Sequence, residues 1–422
     1  MSSDRLVAAL DIGSAWTTAL IAEVTGELPR RPTLKVLGVG TARTAGFRRS
    51  VVSDIEETTR SIAAALGDAE RMAGVKVETL YVGIAGEHVQ TMSSQGIVAV
   101  NGDEITRADV DRANDVARAQ SIPRDRELLH AIPQEYTVDK NLGVRDPVGM
   151  VGTRLETEMY LVTVGASPAN NLRKAVEKAG YRTRDLVLSP LASALATLTE
   201  DEKELGVVLV EMGSGTTDVV VFLEGKIRHV ATINLGGQNV TADIIHGLGV
   251  SAMDAERLKE EYGCAYEPMI QPGQFITLPS TVTQGDRQIP YELLAHIIQQ
   301  RTDEIFDHVQ RDLERAGFAK QLNAGVVVTG GASVTAGIAE LASDLFGQTV
   351  RIGSASGVDG LVEAVGSPRF SCVVGLAQFA AGRVAIASMM QPTTGGKRNS
   401  SATPAGMNHI VVKLKEWFQD FF

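Results

Sequence analysis

The chain has 422 residues, 44% of them hydrophobic and 22% charged, and carries a formal net charge of -11. That length calls for two to four domains or subdomains, and the composition excludes a disordered chain. The acidic balance, with no Lys/Arg cluster interleaved with aromatics, argues against nucleic acid as a partner. Cys264 and Cys372 stand far apart without His or Cys neighbours at metal spacing, so neither a disulfide framework nor a zinc site is supported.

The N-terminal MSSDR runs straight into an apolar strand with no charged-then-apolar leader pattern, so the chain is expected to stay in the cytoplasm. Residues 6–23, LVAALDIGSAWTTALIAE, read as a strand, a tight Gly-Ser turn and a returning strand. The layout recurs at 207–224, VVLVEMGSGTTDVVVFLE, which puts Asp11-Gly13-Ser14 and Glu211-Gly213-Ser214 at equivalent points of two copies. Glycine turns leave backbone amides free to face an anion, so duplicated hairpins across a cleft would grip one phosphate chain from both sides, with the acids holding a metal. One such turn alone fits an ordinary hairpin equally well.

Between the copies, residues 81–163 read as an α+β insertion, with strands at 89–100 and 155–164 and a polar helix over 105–119, N-capped by Thr106 with Asp109 three residues on. Residues 170–180 are expected to be helical, and 186–198, LVLSPLASALATL, to form an apolar helix lining the cleft. Helices over 238–248 and 252–262 precede a β region at 264–288 and a long helix over 291–316. That helix buries Leu294, Ile297, Ile298, Ile305 and Val309, and leaves Arg301, Glu304 and Arg311 on other faces, where a solvated face is the plainer reading. Residues 326–346 give a strand, a Gly330-Gly331 turn that lets backbone approach a ring or phosphate closely, and a helix. The apolar stretch 373–390 is interrupted by Gln378 and Arg383 and reads as a core helix rather than a membrane span.

Residues 391–406, QPTTGGKRNSSATPAG, have the composition of a flexible tether. In the following MNHIVVKLKEWFQDFF, a helical period gathers Ile410, Val411, Leu414, Trp417, Phe418, Phe421 and Phe422 on one face, flanked by Lys413 and Lys415. This is the pattern of an in-plane membrane anchor; the alternative is a terminal helix docked on the protein itself. One such helix binds marginally, so firm attachment would need many copies acting together.

Taken with these features, LLHAIPQEYTVD at 128–139, LTEDEKELGVVLVEMGSGTTD at 198–218, DAERLKEEYGCA at 254–265 and the terminal KEWFQDFF make the chain closely resemble the FtsA family, actin-like bacterial division proteins that tie FtsZ filaments to the inner membrane. The resemblance implies an α/β fold of duplicated ribonuclease-H-like domains around a nucleotide cleft, with a relocated α+β insertion and a C-terminal amphipathic helix. It divides the chain into subdomain 1A (1–83, 164–203 and 356–390), 1C (84–163), 2A (204–240 and 325–355) and 2B (241–324), a linker (391–406) and a membrane-targeting helix (407–422).

By resemblance, Asp11, Gly13, Ser14, Ala15 and Trp16 make the first phosphate loop, and Glu211, Gly213, Ser214, Gly215, Thr216 and Thr217 the second. ATP or ADP would bind with Mg2+ held by Asp11 and Glu211 through water. Glu256 and Lys259 would hold the ribose, and Gly330, Gly331 and Ala332 would pack on adenine. Arg301, with Glu304 nearby, falls where the family contacts the acidic C-terminal tail of FtsZ. Other implied partners are further copies of the chain in an actin-like filament, inner-membrane lipid, and division proteins bound through the insertion. Trp16 stands where related loops carry a phosphate-binding Lys, Glu211 replaces Asp, and Ser189 occupies the position that orients water in relatives. A hydroxyl is a poor base, so slow ATP hydrolysis or none is expected, with nucleotide acting as an assembly switch. Rival readings are a sugar- or acetate-kinase-type phosphotransferase, for which no substrate-directed carboxylate base stands out, and a pilus-assembly-type actin homologue, which would not need its own anchor.

Overall fold

A computed structural model describes residues 5–27, 31–278 and 287–390, so the tether expected at 391–406 and the helix expected at 407–422, with Ile410 to Phe422, lie outside the described residues. The chain opens with β1 (Leu6–Ile12), β2 (Trp16–Glu27) and β3 (Arg31–Arg43), an antiparallel meander whose β-branched and small residues pack two sides of a buried sheet. A short hairpin, β4 (Phe47–Arg48) and β5 (Val51–Val52), leads into α1 (Ile55–Ala73), which is N-capped by the Asp54 side chain. Then β6 (Thr79–Ile84) returns parallel to β1. Tyr81 therefore belongs to this first sheet, and the inserted unit starts beyond β6.

The insertion is a four-stranded sheet, made of β7 (Val89–Ala99), β8 (Arg126–Val138), β9 (Asn141–Val144) and β10 (Arg154–Gly165) in the order β7-β10-β8-β9. α1 is followed in the chain by α2 (Arg107–Arg118), which lies on this sheet; Thr106 and Asp109 form the capping box that the sequence suggests. Ile105, Val110, Ala113, Val138 and Leu155 make its small core. On β8, the buried His130 accepts the Leu188 N–H at 3.0 Å through Nε2, tying the insertion to the end of the first sheet. Burial drives its pKa down to about 3, so it stays neutral there.

After α3 (Ala166–Lys178), β11 (Arg182–Leu188) pairs parallel to β6, and α4 (Ser189–Thr197) follows without a loop. The apolar helix expected over 186–198 thus starts three residues later. Leu186–Leu188 complete a parallel strand buried on both sides, and Pro190 sits in the first turn of α4, where its missing N–H costs nothing. A short α5 (Glu200–Leu205), capped reciprocally by Thr199 and Glu202, was not evident from periodicity.

The second half repeats the plan of the first. β12 (Val207–Met212), β13 (Thr217–Leu223) and β14 (Lys226–Ile233) form the meander; α6 (Gly237–Leu248), α7 (Ala252–Tyr262), the hairpin β15 (Phe275–Leu278) and β16 (Arg287–Pro290), and α8 (Tyr291–Ala316) follow. Next, β17 (Val326–Thr329) lies parallel to β12, and α9 (Ile338–Phe346) leads to β18 (Val350–Ile352) beside β17. The sheet order β14-β13-β12-β17-β18 matches β3-β2-β1-β6-β11 of the first sheet strand for strand. The chain then returns to the first half: β19 (Val358–Gly360) pairs with β3, and α10 (Val362–Val365) leads to α11 (Ser371–Met390).

α11 is long and apolar enough to cross a bilayer, yet Val373, Val374, Leu376, Phe379 and Ala380 are sunk in the core of the first half, as expected of a core helix. It crosses α4 so closely that a Cβ on Gly375 would lie 1.7 Å from the Ala192 carbonyl oxygen. Gly375→Ala must push the two helices apart and is expected to cost about 3 kcal/mol or more in urea unfolding. Gly67→Ala, in α1 where nothing lies within 4 Å of the added atom, should instead be neutral or stabilise by about 0.5–1 kcal/mol. Comparable losses at both positions would remove the packing explanation.

Candidate functional site

The two glycine turns have the same construction. Gly13 N–H donates to the Trp16 carbonyl at 3.0 Å and Gly213 N–H to the Thr216 carbonyl at 2.9 Å, while the amides of Ser14, Ala15, Ser214 and Gly215 make no backbone hydrogen bond among the described residues. Both turns line one cleft of about 660 Å3, a size suited to a small-molecule ligand. They meet at its mouth: a Cβ on Gly215 would stand 2.5 Å from the Ser14 hydroxyl oxygen and 3.0 Å from its Cβ, so any larger residue there would make Ser14 shift. The β4–β5 hairpin reaches the same place. Its tip residues Arg49 and Ser50 both have positive φ (46° and 62°), and the Ser50 hydroxyl is 3.4 Å from that of Thr216.

Strand register identifies a residue that the sequence analysis did not single out. Asp11 pairs with Thr18 and Glu211 with Asp218, so the position facing the acid is a threonine in one copy and a third carboxylate in the other. Asp218 lines the cleft and is held by the Thr216 and Thr232 hydroxyls at 3.2 and 2.5 Å. Thr217, expected in the second loop, is instead equivalent to Thr17. Both are fully buried, and Thr217 donates to the Leu235 carbonyl at 2.9 Å rather than facing the cleft.

These acids share a desolvated space. Burial raises the pKa of Asp11 to about 6, against a lowering hydrogen bond from the Cys372 thiol, and that of Asp218 to about 6. Glu211 rises to about 8, first through burial and then through repulsion from Asp218 and Asp11. Its Oε1 accepts the Ser193 hydroxyl at 2.7 Å, but Oε2 has no partner. A divalent cation would answer both the repulsion and the orphaned oxygen. Among the described residues no three His, Cys, Asp or Glu converge closely enough to ligate an ion directly. The carboxylate and hydroxyl oxygens that line the site are the hard donors that suit Mg2+, an ion that keeps much of its own water. Ser189, the first residue of α4, lies on the cleft wall, where a Cβ on Gly83 would be 2.7 Å from its hydroxyl.

On the other side of the cleft, Lys259 Nζ lies 2.9 Å from both Glu256 oxygens and also reaches Thr241 and the Gly237 carbonyl. Burial opposes ionisation of Glu256, but the Thr241 and Lys259 hydrogen bonds outweigh it and leave the pKa below the ordinary value. Gly330, Gly331 and Ala332 line the same wall, in a tight turn between β17 and α9. Arg301 lies elsewhere: its guanidinium holds Asp243 of α6 at 2.5 and 3.0 Å and bonds Glu304, so it belongs to an ion-pair cluster rather than a free solvated face. Its hydrogen bonds to the Asp243 carboxylate raise the Arg301 pKa.

Comparison with known proteins follows this geometry closely. The profile of "Cell division protein FtsA" matches residues 208–375, and that of the SHS2 domain inserted in FtsA matches 86–163. The chain is 39% identical over 422 residues to the cell division protein FtsA of Pseudomonas aeruginosa, covering 100% of this chain and 99% of that protein. The chain belongs to the FtsA family. Other family members agree: the protein of Escherichia coli K12 is 34% identical over 382 residues, 89% of this chain and 90% of its own length. The actin-like fold of the family recurs in more distant structures. A PilM-PilN type IV pilus biogenesis complex chain superimposes with a TM-score of 0.61 at 17% identity, over 90% of this chain and 98% of that one. MreB5 of Spiroplasma citri bound to ADP gives 0.55 at 13%, over 92% and 99%. A MamK double helical filament gives 0.51 at 12%, over 89% and 98%.

The raised pKa of Glu211 has a measurable consequence. The folded chain keeps a proton there that the unfolded chain releases near the ordinary 4.5, so this residue lowers stability as pH rises from 4.5 through about 8. Glu211→Gln is expected to raise the melting temperature of the Mg-free, nucleotide-free protein more at pH 8 than at pH 5. An equal shift at both pH values would locate the cost elsewhere.

Proposed function

We propose that the chain binds ATP with Mg2+ in this cleft, polymerises on the cytoplasmic face of the inner membrane, and tethers FtsZ filaments there during assembly of the division ring. The observation that carries the nucleotide reading is the pair of matched glycine turns, with Asp11, Glu211 and Asp218 grouped between them in one cleft. The free amides of both turns bind phosphate oxygens, Glu256 and Lys259 orient the ribose, and the Gly330-Gly331 turn lies along the base. Mg2+ bound here would supply charge to offset that of the phosphates, and Asp11, Glu211 and Asp218 are the residues that would hold it through water. Ser189 puts a hydroxyl on the cleft wall, and with no better base in its place the nucleotide acts mainly as a clamp across the two halves.

Self-assembly is supported by the family membership and by a fold shared with a filament-forming protein. The membrane reading rests on the amphipathic pattern at 407–422, which lies outside the described residues. FtsZ capture through α8 requires the acidic FtsZ tail to compete with Asp243 and Glu304 for the Arg301 guanidinium.

Sedimentation of FtsZ polymers with liposomes of inner-membrane composition in Mg-ATP tests the tether. Full-length chain should carry FtsZ down, Trp417→Glu/Phe418→Glu should leave both proteins in solution, and Arg301→Glu should bring down liposome-bound chain without FtsZ. Asp243→Asn, which frees the guanidinium, should retain or strengthen capture. If Asp243→Asn loses FtsZ as fully as Arg301→Glu does, the ion pair is structural and FtsZ docks elsewhere.

A further inference from the structure

The cleft is short of positive charge where a phosphate chain needs it. Among the described residues its walls carry Asp11, Glu211, Asp218, Glu256, Glu260 and Glu261 against Lys259 and Arg369. Lys259 is committed to Glu256, Thr241 and the Gly237 carbonyl. Arg369, just before α11, has no carboxylate partner among the described residues. Its guanidinium lies over the Trp16 indole, 5.2 Å from the ring centroid, and 5.0 Å from that of Phe370. Arg43, the cross-strand partner of Trp16, stacks on the same indole at 4.1 Å.

The position is as informative as the charge. Trp16 directly follows the first glycine turn, and a Cβ on Gly331 would be 3.9 Å from the Cβ of Arg369. The Arg369 side chain therefore runs from its Cβ beside the Gly330-Gly331 turn to its guanidinium on the Trp16 ring, next to the first phosphate loop. A flat cation on an aromatic platform keeps its edge N–H groups free for in-plane donation, the geometry that suits phosphate oxygens. Trp16 cannot donate a charge itself, but it positions one that comes from a segment more than three hundred residues away in the chain.

Resting on the nucleotide reading above, we infer that Arg369, held on the Trp16 indole, binds the phosphate chain of the nucleotide and supplies the cation that the first glycine loop lacks. Trp16 is then a positioning residue and Arg369 a ligand-contacting one. Removing Arg369 weakens binding only for ligands that carry phosphate, and replacing the Trp16 indole by a smaller ring produces the same selectivity at smaller amplitude.

The test uses full-length chain carrying Trp417→Phe, which leaves Trp16 as the single indole, with Trp16 fluorescence and calorimetry as readouts. Adenosine, AMP and Mg-ATP are titrated into this protein and into its Arg369→Gln, Arg369→Lys and Trp16→Phe derivatives, the last by calorimetry alone. Arg369→Gln is expected to weaken Mg-ATP by about ten- to a hundredfold, the scale of a lost charged hydrogen bond, while adenosine changes less than about twofold. Arg369→Lys should recover part of the loss, and Trp16→Phe, which keeps a ring, most of the wild-type affinity. Unchanged Mg-ATP binding, or an equal loss for adenosine and Mg-ATP, overturns the inference while leaving the cleft a nucleotide site. If the unsubstituted chain binds none of the three, the nucleotide reading falls and the inference with it. Because Arg369 is exposed at the cleft edge, its variants should melt with the parent protein, and a matched melting curve separates loss of contact from loss of fold.

Discussion

Three carboxylates packed into one desolvated space set the terms for the rest of this molecule. Asp11, Glu211 and Asp218 are pushed toward the protonated form by burial, Glu211 furthest, with repulsion from its two neighbours adding to the effect of burial. Left in water they would ionise without cost, so the fold spends stability to keep them together. The hydroxyls of Ser193, Thr216 and Thr232 and the thiol of Cys372 offset part of that cost, while Glu211 Oε2 is left bare. A site that is expensive when empty and relieved by a cation is one where binding and stability are linked, because whatever binds the folded form alone draws the equilibrium toward it.

The duplication explains how the acids come together. Each half builds a meander whose first turn is closed by one Gly N–H to a carbonyl three residues on, and each continues the sheet with two parallel strands. Because the halves use one plan, their first turns face each other. The differences lie in side chains: Thr18 against Asp218 opposite the acid, and Trp16 against Thr216 on the turn. The second copy carries two carboxylates there, Glu211 and Asp218, whereas the first carries Asp11 opposite the neutral Thr18 and has an aromatic ring, Trp16, where the second has Thr216.

Much of this was legible in the residues. The two hairpins, the capping box at Thr106 and Asp109, the limits of the 26-residue α8 and the buried character of α11 all follow from local patterns of turn residues and apolar period. Asp218 was legible too, since aligning the copies places it opposite Glu211 where the first copy has Thr18 opposite Asp11. What lay beyond reach is of one kind. Ser193 on Glu211, Cys372 beside Asp11, and Arg369 over Trp16 are contacts between segments far apart in sequence. The strand Leu186–Leu188 failed for a related reason: a short leucine and valine run suits a helix or a parallel strand equally, and only the neighbour β6 decides.

The halves are joined unevenly. At the closed end, Leu191, Ala194 and Leu198, from α4 and just after it, pack with Leu209, Val220, Phe222 and Val327 of the second sheet in one dry cluster that also takes in Ile132 and Val162 of the insertion. At the mouth, contact is thin and polar: Ser50 with Thr216 at 3.4 Å, and Gln238 with the Ser14 carbonyl at 3.5 Å. Apolar packing of the first kind resists opening, whereas contacts of the second kind exchange readily with water. A ligand whose phosphates touch both glycine turns adds attraction at the end where the chain supplies least. The duplicated turns thus place a ligand where a small differential affinity has the most influence over how the two halves stand to each other.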